Sequence, residues 1–222
     1  MKPLKSVYIF ISLTLFFHLN FAVSLYSQEI VLARLKYAGG GDWYNDPEII
    51  PNLAKELKEW AGLKVKEEQK IVSLLDEDLF NYPFLFITGH GNIRFSDEEI
   101  TRLRKFLTAG GFLYADDDYG MDEAFRREIK KVFPQAELLE LPFEHPIYHC
   151  FYNFPQGLPK IHEHYPGAPH GYGIFYEGRL VVFYTYNSNI TDGWTPAHND
   201  PPEKRESAFK MGTNIIWYVL TQ

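Results

Sequence analysis

Three consecutive aspartates, Asp116-Asp117-Asp118, follow the apolar run Phe112-Leu113-Tyr114-Ala115. Adjacent carboxylates repel one another and stay charged only with solvent, capping amides or a cation to hold them. One of them, Asp117 or Asp118, could cap a following helix, but one cap needs one aspartate. The others could bind a hard divalent cation through oxygen or act as a general base. Capping with solvated charge and these two functional uses stand side by side on the sequence. Tyr119 and Gly120 complete the segment.

His90 lies between Gly89 and Gly91, just after the apolar run Phe84–Thr88. It is the histidine most suited to a site: it could donate to a ligand, or join an aspartate from the next loop around a metal. Six other histidines lie beyond the N-terminal segment: His145, His149, His162, His164, His170 and His198. His162-Glu163-His164 alternates, so on a strand both rings would face one way. The spacing is not HExxH and brings no recognised third ligand, so a surface position is the plainer reading. Gly39-Gly40-Gly41-Asp42-Trp43-Tyr44 forms a third polar, glycine-rich segment. A tight turn explains it most simply; a backbone-amide cradle for an anion is the alternative. It matches neither the dinucleotide nor the P-loop pattern, so nucleotide binding is not expected. The single cysteine, Cys150, reads as a core residue, and no GxSxG nucleophile elbow is present.

These segments need a frame. Glu29–Tyr37 reads as a strand ended by the glycines. Asp46-Pro47 is expected to open a helix, with Asp46 as cap, carrying Leu53, Leu57 and Trp60 on one stripe and stopping at Gly62. Val65–Leu74 is a weaker strand and Phe84–Thr88 a buried one. Ser96-Asp97-Glu98-Glu99 is a capping box, opening a helix that Gly110-Gly111 ends. Phe112–Ala115 is another buried strand, and a helix runs from about Asp122 to Phe133. Residues 134–170 read as irregular. Ile174–Tyr186 is a hairpin turned at Glu177-Gly178, and a last helix covers about Pro202–Leu220.

Strands alternating with helices predict an α/β fold: three layers, a mostly parallel sheet with helices on both faces, plus a C-terminal hairpin and helix. Ligands in such sheets bind beyond the carboxyl ends of the strands. The predicted ligand-binding set is therefore Gly40, Gly41, Asp42, Trp43, Gly89, His90, Gly91, Asp116, Asp117, Asp118 and Tyr119, with His145, Asn187 and Trp194 from the second half. Asp117, Asp118 and His90 are the catalytic candidates.

The first residues, Met1-Lys2-Pro3-Leu4-Lys5, precede an apolar run from Val7 to about Val23. This is the pattern of an export leader, with Ala22 and Ser24, or Ser27, at the cleavage position. Residues 1–27 are read as a signal peptide, with an uncleaved anchor as alternative, and residues 28–222 as one exported domain of the periplasm or cell envelope. No cysteine lies near for a lipid anchor. The leader holds two of the 22 basic residues and none of the 29 acidic ones, so the formal charge of −7 becomes −9 without it. Such a charge argues against nucleic acid and anionic lipid as partners. Contact with a membrane is expected only through an uncleaved leader. One cysteine allows no internal disulfide.

The run from Tyr82 to Gly120 resembles the class I glutamine amidotransferase-like fold, its ThuA-like branch in particular, as does Glu144-His145-Pro146-Ile147. More closely, the mature chain is similar to a bacterial domain of unknown function, the 4159 family. The likeness rests on Tyr37–Tyr44, Gly89-His90-Gly91, Ala115-Asp116-Asp117-Asp118 and Gly212-Thr213-Asn214. It implies a flavodoxin-like layered fold and no particular reaction. Where the amidotransferases carry a nucleophilic cysteine, this chain has Asp117 or Asp118. Attack by a carboxylate would give an anhydride, so glutaminase activity is not expected. Folds are commonly reused for other ends.

The residues thus favour a non-catalytic binding or assembly module for a small molecule, glycan, peptide or envelope protein, its aromatic faces suiting such ligands. The alternative is a hydrolase-type enzyme that uses the Asp116–Asp118 cluster with His90. No cofactor is expected other than, in that alternative, a divalent metal.

Overall fold

The computed structural model describes residues 29–222, and the leader reading falls outside them. Among the described residues no helix is long and apolar enough to cross a membrane. Seven strands form one sheet: β1 (Ala33–Leu35), β2 (Lys70–Val72), β3 (Phe84–His90), β4 (Phe112–Tyr119), β5 (Leu139–Glu140), β6 (His170–Tyr176) and β7 (Arg179–Tyr186). Their order is β2-β1-β3-β4-β7-β6-β5. The pairs from β2 to β7 are parallel; β6 and β5 add an antiparallel edge. Among the described residues the α-helices are four: α1 (Ile49–Ala61), α2 (Asp97–Thr108), α3 (Asp122–Val132) and α4 (Pro202–Thr221).

The alternation of side chains along the strands builds two cores. Phe84 and Phe86 of β3, Phe112 and Tyr114 of β4 and Phe183 of β7 face α1 and α4. Leu85, Ile87, Leu113, Ala115, Val182 and Tyr184 face α2 and α3. The chain leaves β1 through α1 toward β2, whereas β3 passes through α2 toward β4 on the other side of β1. Right-handed crossovers running in opposite directions put their helices on opposite faces. The order reverses between β1 and β3, the switch point beside which such sheets commonly bind ligands at their carboxyl edge.

Local signals explain most element ends. The Ser96–Glu99 capping box forms on both sides, with Ser96 accepting from the Glu99 amide and Glu99 accepting from the Ser96 amide. Gly62 closes α1 in the left-handed conformation. Glu177 and Gly178 both have positive φ, 50° and 80°, as a tight hairpin turn requires.

Four expectations change. The first two strands are short, three residues each, although Ile30 and Val65 still pair as an isolated bridge. Asp46 does not cap α1: Glu48 stands at the cap without a side-chain bond, and the Asp46 carboxylate turns to His198. The nominally irregular 134–170 segment supplies β5, pairing with β6. Most important for the site, β4 runs on through all three aspartates to Tyr119, so they are strand residues and not a loop.

Candidate functional site

The carboxyl edge gathers the segments after β1, β3, β4 and β7. The glycine run after β1 lies against the backbone after β3: the Gly41 amide donates to the Asn92 carbonyl (2.9 Å) and the Arg94 amide to that of Ala38 (2.8 Å). A Cβ on Gly41 would come within 2.7 Å of the His90 carbonyl oxygen and 2.8 Å of that of Asn92. The glycines therefore serve close packing, and with the Gly41 amide spent on Asn92 the run is built as a turn.

That packing brings Asp42 to His90. Asp42 Oδ1 accepts from the His90 amide (2.5 Å) and Oδ2 lies 2.9 Å from Nδ1 of the ring. Gly89, at φ 137°, leaves the room: a Cβ there would meet Tyr37 Oη at 2.5 Å and Asp42 Oδ1 at 2.9 Å. The far ring nitrogen, Nε2, is 3.3 Å from Asp118 Oδ2. Partial burial works against the imidazolium, but the charges of Asp118 and Asp42 outweigh it and raise the His90 pKa. Burial of Asp42 is likewise outweighed by the His90 amide and ring, which hold its carboxyl below the usual range.

The aspartates divide between the two faces of the sheet, as strand residues must. Asp117 points toward α2 and α3 and accepts from the Met121 amide (2.7 Å), the role of a helix-entry cap. Burial pushes its carboxyl up to about 7, the Met121 amide opposing. Asp116 points the other way and is fully enclosed. It accepts from the Thr185 hydroxyl and from the amide and hydroxyl of Thr191 (2.8 Å each). It ties β4 to β7 and to the loop beyond. Burial raises it to about 6 despite these donors. Asp118, on the same face, accepts from Asn45 Nδ2 (2.6 Å), whose Oδ1 accepts from Arg34 Nη2 (3.0 Å). Arg34 is a buried cation on β1, lowered to about 10 by burial against the pull of Asp46.

Around Asp118 lie groups able to hold a metal. One ligand atom each from Asp118, His164 and Asp192 fall within 4.8 Å of one another; so do those of Asp46, Asp192 and His198. Asp192 belongs to both groups. It sits in a short 3-10 turn, Asp192–Trp194, after β7, and its side chain is 2% exposed. Burial, then the charges of Asp118 and Asp116, push its carboxyl well above the usual range. Burial and the neighbouring His162 lower His164, favouring the neutral imidazole that a metal takes.

Of the other predicted residues, Tyr119 is on the rim, stacked on Tyr165 (5.3 Å) and against His164 (4.7 Å), with 46% of its surface exposed. Gly40 and Gly91 lie on the exposed edge with positive φ. Trp43 packs edge-on against Tyr44 and under Lys36. Asn187 is buried and binds the carbonyls of Gly167 and Ala168. Trp194 is a core residue: its Nε1 donates to the Ala208 carbonyl and its ring contacts Phe86 and Tyr114. His145 stands apart, packed between Phe175 and Tyr218. Cys150 is half-buried and outside both cores; it donates to the Asn214 carbonyl (3.2 Å), and burial pushes its thiol up to about 11, away from the reactive thiolate. Arg34, Asn45, Asp46, His164, Asp192 and His198 were not among the predicted site residues. An arginine inside a strand was the one overlooked local signal. A groove lined by Asn92, Arg94, Arg127, Glu128 and Lys131 lies elsewhere, its carboxylate already paired with Arg127 and Lys131.

A sequence model of the family described as domain of unknown function DUF4159 matches residues 31–220. The chain belongs to the DUF4159 family. A comparison with proteins of curated function finds no match.

Proposed function

We propose that this protein is a divalent-cation-dependent hydrolase working at the carboxyl edge of its sheet. The observation that carries the reading is the convergence of Asp118, His164 and Asp192, from three separate segments, each bringing one ligand atom to within 4.8 Å of the others. Two carboxylates and an imidazole suit a divalent ion and leave coordination positions open for water and substrate. An ion held by these residues would make its bound water acidic. His90, oriented by Asp42 and half-exposed, faces that point through Nε2 and serves as the acid–base group. Asp116 holds the floor, Asp117 caps α3, and neither is the nucleophile.

From the leader we infer that the site works outside the cytoplasm, and the layered, mostly parallel sheet supports descent from the ThuA-like branch. The test is metal content of the purified protein by mass spectrometry, melting with and without chelator, and a screen of chromogenic phosphoesters, carboxylic esters and amides with Mn²⁺ or Zn²⁺. We expect bound metal, a lower melting point after chelation, and turnover that Asp118→Asn or His164→Ala abolishes. A protein that takes up neither cation, with an unchanged melt, overturns the reading. A second reading, a non-catalytic module binding a glycan or peptide, draws on the exposed Tyr119 face beside the site. It prevails if ligands bind without turnover and Tyr119→Ala removes the binding.

A further inference from the structure

We propose that the edge holds two divalent cations, with Asp192 bridging them and the second ion bound by Asp46, His198 and Asp192. The inference rests on the cation reading above and adds a second site to it. Asp192 offers its two oxygens in different directions. Oδ1 lies 3.7 Å from His198 Nε2, which is itself 3.2 Å from Asp46 Oδ2. Oδ2 lies 3.4 Å from Asn189 Nδ2, a group that also approaches Asp118 Oδ1 at 3.4 Å. One oxygen thus leans to the Asp46–His198 side and the other to the Asp118 side, the arrangement of a carboxylate shared by two ions. Paired catalytic cations stand about 3.5–4 Å apart, a span one carboxylate can bridge.

Asp200 supplies an independent observation. Its side chain is 5% exposed, and Oδ2 is buried with no hydrogen-bond partner among the described residues. Its other oxygen lies 3.5 Å from His162 Nδ1, and the His162 ring is 6.2 Å from that of His198. A buried carboxylate oxygen without a donor is rare and calls for a missing cation or water. The charges that bear on Asp192 are those of Asp118, Asp116 and Asp200. The buried cation at hand, Arg34, is committed to Asn45 and the Asp46 carbonyl.

The experiment is Mn²⁺ titration of the purified full chain by calorimetry, with electron paramagnetic resonance of each loaded state. Wild type should take two equivalents, the second converting the six-line signal of isolated Mn²⁺ into an exchange-coupled one. His198→Gln and Asp46→Asn should each take one equivalent and keep the isolated six-line signal. His164→Gln should also take one, and Asp192→Asn should lose the coupled signal entirely. Melting curves of the metal-free variants check that each is folded, and the conservative substitutions of Asp46 and His198 test the same site independently. One equivalent in wild type, unaffected by His198→Gln and Asp46→Asn, overturns the second site and leaves the hydrolase reading standing. Two equivalents that survive both substitutions, with no coupling, overturn it as well. No Mn²⁺ bound, with Zn²⁺ equally refused, overturns both readings together.

Discussion

Asp116 accepts three hydrogen bonds while completely enclosed between β4, β7 and the loop that carries Thr191. Asp116→Ala would leave the Thr191 amide and hydroxyl and the Thr185 hydroxyl facing a void. Leaving these buried neutral donors unpaired, at about 1–3 kcal/mol each, costs about 3–5 kcal/mol once the site partly relaxes. For a domain of this size that is a fall of about 10 °C in melting temperature. Asp116→Asn is different. Its carbonyl can keep both Thr191 bonds, and its amide can donate to Thr185 Oγ1, whose proton turns to the Ala115 carbonyl 3.3 Å away. The variant also removes a buried charge, so its cost should stay within about 1 kcal/mol.

The two changes also separate by pH. The carboxyl of Asp116 titrates at about 6, raised by burial. A raised pKa means that the fold favours the protonated acid. Its contribution is complete below the ordinary carboxylate value and is lost as pH rises through 6. Asparagine does not titrate, so Asp116→Asn should gain on wild type between pH 5 and pH 7.5. The assay is urea unfolding followed by tryptophan fluorescence, at both pH values, in chelator. An alanine variant as stable as wild type, or an asparagine variant as damaged as alanine, would refute the structural role. The latter result would mean that the negative charge itself is needed.

Gly89→Ala, at φ 137° and against Tyr37 and Asp42, should displace Asp42 from His90. Expected are a loss of about 1–3 kcal/mol and a fall of the His90 pKa toward its ordinary value, read by NMR titration. Trp194→Ala empties a fully buried site between Phe86 and Tyr114 and breaks the bond to Ala208, so it should cost about 3–5 kcal/mol in denaturant. Glu128, buried but paired with Lys131, the Phe95 amide and Arg127, has its pKa held below the ordinary value. Its contribution is present above the unfolded value and lost as pH falls through the folded one. Glu128→Gln should therefore cost about 1 kcal/mol near neutrality, where its partners are half-exposed, and nothing measurable at pH 3; melting at the two pH values checks this.

The sequence by itself determined what neighbours along the chain decide. The Ser96 capping box, the Gly62 stop, the Glu177-Gly178 turn and the apolar runs of β3 and β4 are local devices, and they place α2, the end of α1, the hairpin and the central strands. Asp118 and His90 were readable as site residues because both come after the apolar runs of buried strands, at the carboxyl ends of a parallel sheet. Only the tertiary structure decided that β7 lies parallel beside β4, which brings Asp192 and His198 to Asp118 and Asp46. Only it assigned separate duties to the three aspartates, because a strand alternates its faces where a loop would not. His164 is the plainest case: its alternation with His162 left a ligand or a plain surface histidine open, and its partners lie 46 residues before it on β4 and 28 after it beyond β7. Groups so far apart in the chain meet only when the sheet order is settled, and that order is set by the packing of two cores.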